Sequence, residues 1–332
     1  MDDFRFAYRR YRLAFRHPVR TARALWAERE GLIVRLEAAD GRVGWGEAAP
    51  VPAFGMEGMD DLEAAARNWP SFDPARVPTL ENALRAARAD MEGSRAGKES
   101  SRPAWAVAAL LPAGRAAIAV ARERAAAGFR TFKWKVGVEG WRDEASILDD
   151  VCAAIPEGAR LRLDANGAWD RRTAEQWLAR CAERPVELVE QPVGGEDSRG
   201  EDLLRGLAAD FPTPIGLDES LVGEPDLERW LGSGWPGVYV IKPSLFADAA
   251  GALRKLAAAK AKVVFSSAIE TAVGARAALR LAFAWEGERA ALGFGVWPIF
   301  QAEACDGPAL APFIRPGDLD AGAGEKVWNA LS

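Results

Sequence analysis

Residues 131–138 read TFKWKVGV and carry two lysines one residue apart inside an otherwise strand-like run. A strand alternates faces with a period of two, so Lys133 and Lys135 share one face and Phe132, Trp134 and Val136 take the other. Only eight of the 43 basic residues are lysine, so arginine supplies the ordinary positive charge. A buried lysine can release its proton near neutral pH and serve as a general base; arginine cannot. Farther along, Asp164, Glu190, Asp218 and Lys242 stand at the ends of successive apolar runs. Three carboxylates sharing a small cavity repel strongly unless a cation compensates them. An all-oxygen donor set without histidine or cysteine favours Mg²⁺, with Mn²⁺ as a substitute, over zinc. Lysines on both flanks of such a metal suit proton abstraction beside a carboxylate, which the metal binds as an enediolate forms.

Each residue alone has a plainer reading. A single acid at a strand end is commonly a helix cap, and Lys242 precedes a proline and could be a surface charge. Three acids on successive strands, flanked by lysines at a regular period, argue for a site. Alternation also puts Arg162 and Asn166 on the face of Asp164. His17 and the three scattered cysteines read as structural, and GFG at 293–295 lacks the spacing of a dinucleotide fingerprint.

The elements that must position these groups repeat. Markers at Lys135, Asp164, Glu190, Asp218, Lys242, Ser266 and Gly293 fall 24–29 residues apart, the length of one βα unit. Eight apolar runs from about residue 104 predict a parallel barrel, whose strand ends face its catalytic mouth. DEASILDDVCAAI (143–155) and TAEQWLARCAE (173–183) carry helical periodicity. Residues 1–100 differ. GLIVRLEAADGRVGWGEAAP predicts two strands around an ADGR turn, and DDLEAAARNWP and TLENALRAARADMEG predict helices. We expect an α+β capping domain over 1–100 with a boundary in 92–103, a catalytic barrel over 101–308, and a tail over 309–332 packing back on the cap.

The 332 residues, 49% hydrophobic and 27% charged, fit a globular chain. A net charge of −5 without a basic block argues against nucleic acid as a partner. Cysteines without CxxC spacing fit a reducing cytosol. The first residues do not read as a leader, and no apolar run approaches the ~18 residues of a membrane span. The expectation is a cytoplasmic protein acting on a small molecule, with oligomeric state open.

The segments KWKVG, RLDANGAW, VEQP, GLDESL and IKPSL resemble the enolase superfamily in its muconate-lactonizing-enzyme subgroup, and within it the o-succinylbenzoate synthase family. GWGEAAP and FSSAIETAVG extend the resemblance over nearly the whole chain. It implies a modified (β/α)7β barrel under an N-terminal α+β cap, with loops near 16–30 and 50–60 closing over the mouth. It implies Lys135 as acid/base, Lys133 as its partner, Lys242 on the opposite face, and Asp164, Glu190 and Asp218 as ligands of Mg²⁺. Asn166 and Arg162, around the third strand's ligand, would bind substrate, and Ser266, Ser267, Ile269 and Gly293 would line its pocket. AFGMEGMD departs from the family's ETL-like loop.

The implied activity is syn dehydration of 2-succinyl-6-hydroxy-2,4-cyclohexadiene-1-carboxylate to o-succinylbenzoate, in menaquinone or phylloquinone biosynthesis. Racemisation of N-acylamino acids or epimerisation of dipeptides is the alternative on the same scaffold. GFGVWPIFQAEACDGP, small and apolar at Gly293 to Ile299, lacks the acidic pair with which dipeptide epimerases hold an ammonium group. A non-catalytic metal-binding barrel is a third possibility, against which the intact lysines count.

Overall fold

The computed structural model describes residues 4–20, 25–93, 102–195 and 198–331. Three antiparallel strands, β1 (Arg5–Arg20), β2 (Leu25–Glu37) and β3 (Val43–Ala48), form the N-terminal sheet in that order. Gly41, with φ of +82°, turns the chain between β2 and β3. The alternation of β2 divides two cores. Leu32, Val34 and Leu36 pack with Leu62 of α1 (Met59–Arg67) and with Leu80, Ala83 and Ala87 of α2 (Pro78–Gly93). Ile33 instead joins Tyr11, Leu13 and Phe15 of β1 in the core shared with the barrel. Strand β1 was not anticipated, although Tyr11, Leu13 and Phe15 are buried and alternate with exposed Arg10, Arg12, Ala14 and Arg16.

The barrel begins with β4 (Trp105–Ala106) and β5 (Ala108–Leu111). It alternates through α3 (Ala116–Ala126), β6 (Thr131–Lys135), α4 (Trp141–Ala154), β7 (Arg160–Asp164), α5 (Arg171–Cys181), β8 (Val186–Glu190) and α6 (Ser198–Asp210). It continues with β9 (Ile215–Leu217), α7 (Gly223–Gly232), β10 (Val238–Ile241), α8 (Ala249–Ala258), β11 (Lys262–Phe265) and α9 (Ala272–Ala284). Strands β5 to β11 form one parallel sheet in chain order. The eighth position is a seam of two residues: Leu292 bridges Val107 and Gly293 bridges Ser266, both in parallel. Hydrogen bonds from Ala108 N to Leu292 O (2.8 Å) and from Gly293 N to Phe265 O (2.7 Å) close the ring.

Period-two alternation sorts the strand residues. Phe132, Trp134, Leu161, Leu163, Ile215, Leu217, Tyr239 and Ile241 join the large core under the helices, and Leu188, Val238, Val240 and Val264 form a separate cluster inside the barrel. Near the C-terminus, β12 (Phe313–Ile314) pairs antiparallel with β4, and Trp328 of α10 (Ala323–Ala330) meets Trp45 of β3 at 5.5 Å between ring centroids. Most of the boundary expected at 92–103 falls on residues 94–101, outside the described residues. Among the described residues, no helix is long and apolar enough to cross a membrane.

Candidate active site

Strand register builds the site in layers. Lys135 on β6 is the Cα partner of Asp164 on β7, which is the partner of Glu190 on β8. Asp218 follows β9 and Lys242 follows β10. Lys133 Nζ reaches Glu190 Oε1 at 2.6 Å and Asp164 Oδ2 at 3.1 Å, while Lys135 Nζ donates to Asp164 Oδ2 at 3.0 Å and to Asn166 Oδ1 at 2.7 Å. Lys242 donates to Asp218. Among the described residues no three acidic side chains gather into a ready-made metal cluster; the lysines stand between them instead. Burial favours the uncharged lysine, but the attraction of Asp164 and Glu190 outweighs it, so Lys133 holds its proton more tightly than usual. Asp164, buried but facing Lys133 and Lys135, is held below the usual carboxylate range. Lys242 is pushed down to about 8, chiefly by burial, which outweighs the pull of Glu190.

A cavity of 160 Å³ opens above these groups. Lys133, Lys135, Asp164, Asn166, Asp218 and Lys242 line its floor, Ser266 to Ile269 one wall, and Gly293, Val296 and Ile299 another. A larger cavity of 210 Å³ beside α2, α8 and α9 contains none of the lysines or acids of this floor. Arg162 is a correction. It sits two residues before Asp164, hence one layer deeper in the barrel, in register with Lys133 and Leu188. There its guanidinium is spent on Glu187 (2.7 Å from Nε) and on Ala291 O (2.8 Å), and it does not line the cavity.

Two further contributors, Gln191 and Glu219, were not anticipated. Gln191 accepts from Asp218 N (2.9 Å) and Ser220 N (3.2 Å) through Oε1 and donates to Val193 O (2.9 Å), tying the ends of β8 and β9 together. Asn166 donates to Glu219 (2.8 Å), whose carboxyl is raised to about 7 by burial and by neighbouring Asp164. From the stretches 16–30 and 50–60 expected over the mouth, Val19, Trp26, Val51 and Phe54 reach the cavity, and Lys242 Nζ lies 5.2 Å from the Phe54 ring centroid. Of the stretch 16–30 expected as a loop, residues 16–20 and 25–30 belong to β1 and β2, and residues 21–24 lie outside the described residues.

The matching family models are Enolase C-terminal domain-like, over residues 116–310, and MenC, N-terminal domain, over residues 5–76. An o-succinylbenzoate synthase from Thermosynechococcus vestitus (strain NIES-2133 / IAM M-273 / BP-1) is 38% identical, covering 88% of this chain and 92% of its own. The chain belongs to the o-succinylbenzoate synthase family of the enolase superfamily. A family member from Thermobifida fusca (strain YX) is 30% identical over 90% of this chain and 84% of its own. The family's solved synthase from Thermosynechococcus elongatus BP-1, complexed with Mg in the active site, superposes with a TM-score of 0.81. It is 34% identical and covers 98% of this chain and 99% of that one. The L-Ala-D/L-Glu epimerase from Bacillus subtilis shares the fold at a TM-score of 0.81, 22% identical, over 95% and 97% of the two chains.

Proposed function

We propose that this chain is an o-succinylbenzoate synthase, a carbon–oxygen lyase that dehydrates 2-succinyl-6-hydroxy-2,4-cyclohexadiene-1-carboxylate in quinone biosynthesis in the cytoplasm. The observation that carries the reading is one layer of Lys135, Asp164 and Glu190 under a cavity whose far wall, Gly293, Val296 and Ile299, is apolar. A ring that becomes aromatic suits that wall better than a free amine. Of the two acids that follow that wall, Glu303 pairs with Arg16 (3.3 Å), and Asp306 accepts from Ile299 N (2.7 Å) and Phe300 N (3.0 Å) and so holds the backbone.

Asp164, Glu190 and Asp218 are the proposed Mg²⁺ ligands, with Mn²⁺ able to substitute. Three oxygen donors on neighbouring strands, free of nitrogen and sulfur, suit a hard cation, and the three lysines bonded to them show that the site gathers positive charge around these acids. When bound, the metal supplies positive charge that holds the substrate carboxylate and stabilises the charge developing on it. Lys135 takes the proton from the carbon bearing that carboxylate. The electron pair forms the new ring double bond as the C–O bond breaks on the same face. Lys135 returns the proton to the departing hydroxyl, which leaves as water. Lys133, held protonated by Asp164 and Glu190, is a fixed cation beside Lys135. Asn166 and the wall residues Ser266, Ser267, Ile269 and Gly293 orient the substrate.

Lys242 favours a second activity. It stands on the side opposite Lys135 with its proton loosened by burial, so it can serve as the second proton carrier that inversion of a stereocentre requires. Purified protein with Mg²⁺ is expected to consume the diene absorbance rapidly and to exchange α-protons of dipeptides or N-succinylamino acids in D₂O far more slowly. Exchange with the higher kcat/KM would replace the lyase reading with the epimerase one.

A further inference from the structure

The cavity wall from Ser266 to Ile269 is held from the N-terminal domain. Glu47, on β3 and 3% exposed, accepts from Thr271 N (2.9 Å), Gly274 N (2.9 Å) and Tyr11 Oη (2.6 Å), and from the Thr271 hydroxyl. Thr271 caps α9, accepting from Val273 N, so this carboxylate meets the positive end of a helix in the other part of the molecule. Arg29, also buried, donates to Pro50 O (2.6 Å), Ala49 O and, across the interface, Ile269 O (3.3 Å). Ile269 holds φ of +61°, a costly conformation for a β-branched residue that persists only where its surroundings enforce it. From the barrel side, Glu270 accepts from Ser267 Oγ, Ala268 N (3.0 Å) and Ser244 Oγ (2.7 Å), two residues beyond Lys242. Gly274 leaves the room this needs, since a Cβ there would stand 2.9 Å from Glu47 Oε2.

We propose that Glu47 is a positioning residue for substrate: by fixing Thr271 and the start of α9 it sets the Ser266–Ile269 wall, so docking of the cap and assembly of the binding site are one event. This rests on the dehydratase reading. Asp90 supplies the comparison. It too is a buried acid bridging the two parts, from α2 to Arg276 and Arg280 of α9, but it does not touch the wall.

The test is steady-state kinetics on the diene with Mg²⁺ for wild type, Glu47→Gln, Tyr11→Phe, Ser267→Ala, the Glu47→Gln/Ser267→Ala double variant and Asp90→Asn. Glu47→Gln is expected to raise KM by roughly tenfold with a much smaller change in kcat, the scale of a lost hydrogen bond to a charged group. Tyr11→Phe, a milder change that keeps the chain folded should Glu47→Gln fail to fold, moves KM the same way by less. The double variant raises KM no more than its worse parent, whereas Asp90→Asn lowers Tm and leaves KM alone. Deuterium exchange of the peptide around 264–275 should quicken in Glu47→Gln and Tyr11→Phe but not in Asp90→Asn, a readout independent of turnover. An unchanged KM and exchange rate in both Glu47→Gln and Tyr11→Phe, or KM effects that multiply in the double variant, would overturn the proposal. A wild type that leaves the diene intact would instead overturn the dehydratase reading, with exchange still deciding the role of Glu47.

Discussion

Lys133 and Lys135 differ in what holds them. Lys133 is clasped by two acids and keeps its proton, whereas Lys135 touches Asp164 and Asn166 and is the more exposed of the two. Lys135→Arg keeps the charge and removes the proton carrier, so kcat on the diene should fall by at least ~10²–10⁴-fold, the range of general acid–base catalysis. His17→Asn, away from the cavity lining, should turn over normally. Near-normal turnover in Lys135→Arg would sink the mechanism. Asp164→Asn should lose most activity with its circular dichroism unchanged, and exhaustive EDTA should silence wild type until Mg²⁺ is restored; full activity in EDTA would remove the metal from the scheme. These residues were legible because strand ends with paired polar residues stand out against apolar runs. Arg162 misled for a related reason: alternation gives the face of a strand but not the depth along the barrel axis. The stretch holding Phe54 was expected over the mouth, but its contact with Lys242 and the roles of Glu47 and Arg29 left no local signal. Their meaning arises from contacts made across well over a hundred residues of chain.

Among the elements, α2 lies against β3 at backbone distance. A Cβ on Gly46 would stand 1.9 Å from Ala83 O, and one on Gly44 would stand 1.9 Å from Ala87 O. Gly46→Ala must therefore push the helix off the sheet. The expected cost is at least the ~1–3 kcal/mol of an overpacked core, read as a lower urea midpoint. A midpoint equal to that of wild type would show that α2 yields freely. The segment GWGEAAP was legible as a strand, but nothing in one sequence says that its glycines face a helix backbone. Helices α4 and α5 were legible from their 3.6-residue periodicity, with boundaries within two residues. Strand β1 carries an equally clear period-two alternation of Tyr11, Leu13 and Phe15 with exposed neighbours, a signal present in the sequence itself.

At the scale of the molecule, a buried carboxyl joins cap to barrel, and this has a pH signature. Burial raises Glu47 above the ordinary 4.5, against the lowering by its bonds from Thr271, Tyr11 and Gly274. A carboxyl that binds its proton more tightly folded than unfolded favours the fold below 4.5 and gives up that contribution as pH rises through its folded value. Wild type should therefore lose stability relative to Glu47→Gln as pH climbs above 4.5, read from urea midpoints of the two proteins between about pH 4 and 7. Parallel curves would deny Glu47 that share. The period of 24–29 residues made the barrel legible, but not how thinly it is closed. The seam at Leu292 and Gly293 joins the first strand to the seventh, so ring closure waits on the pairing of Val107 with Leu292, far less local than the strand-to-strand pairings within the parallel sheet. Until it forms, β5 and β11 are bare sheet edges, and a nascent chain stopped near residue 285 presents both as templates for pairing with another copy. Such a fragment should be recovered as aggregate where residues 1–332 are not, and the segment that follows α9 is then what makes the rest safe from itself.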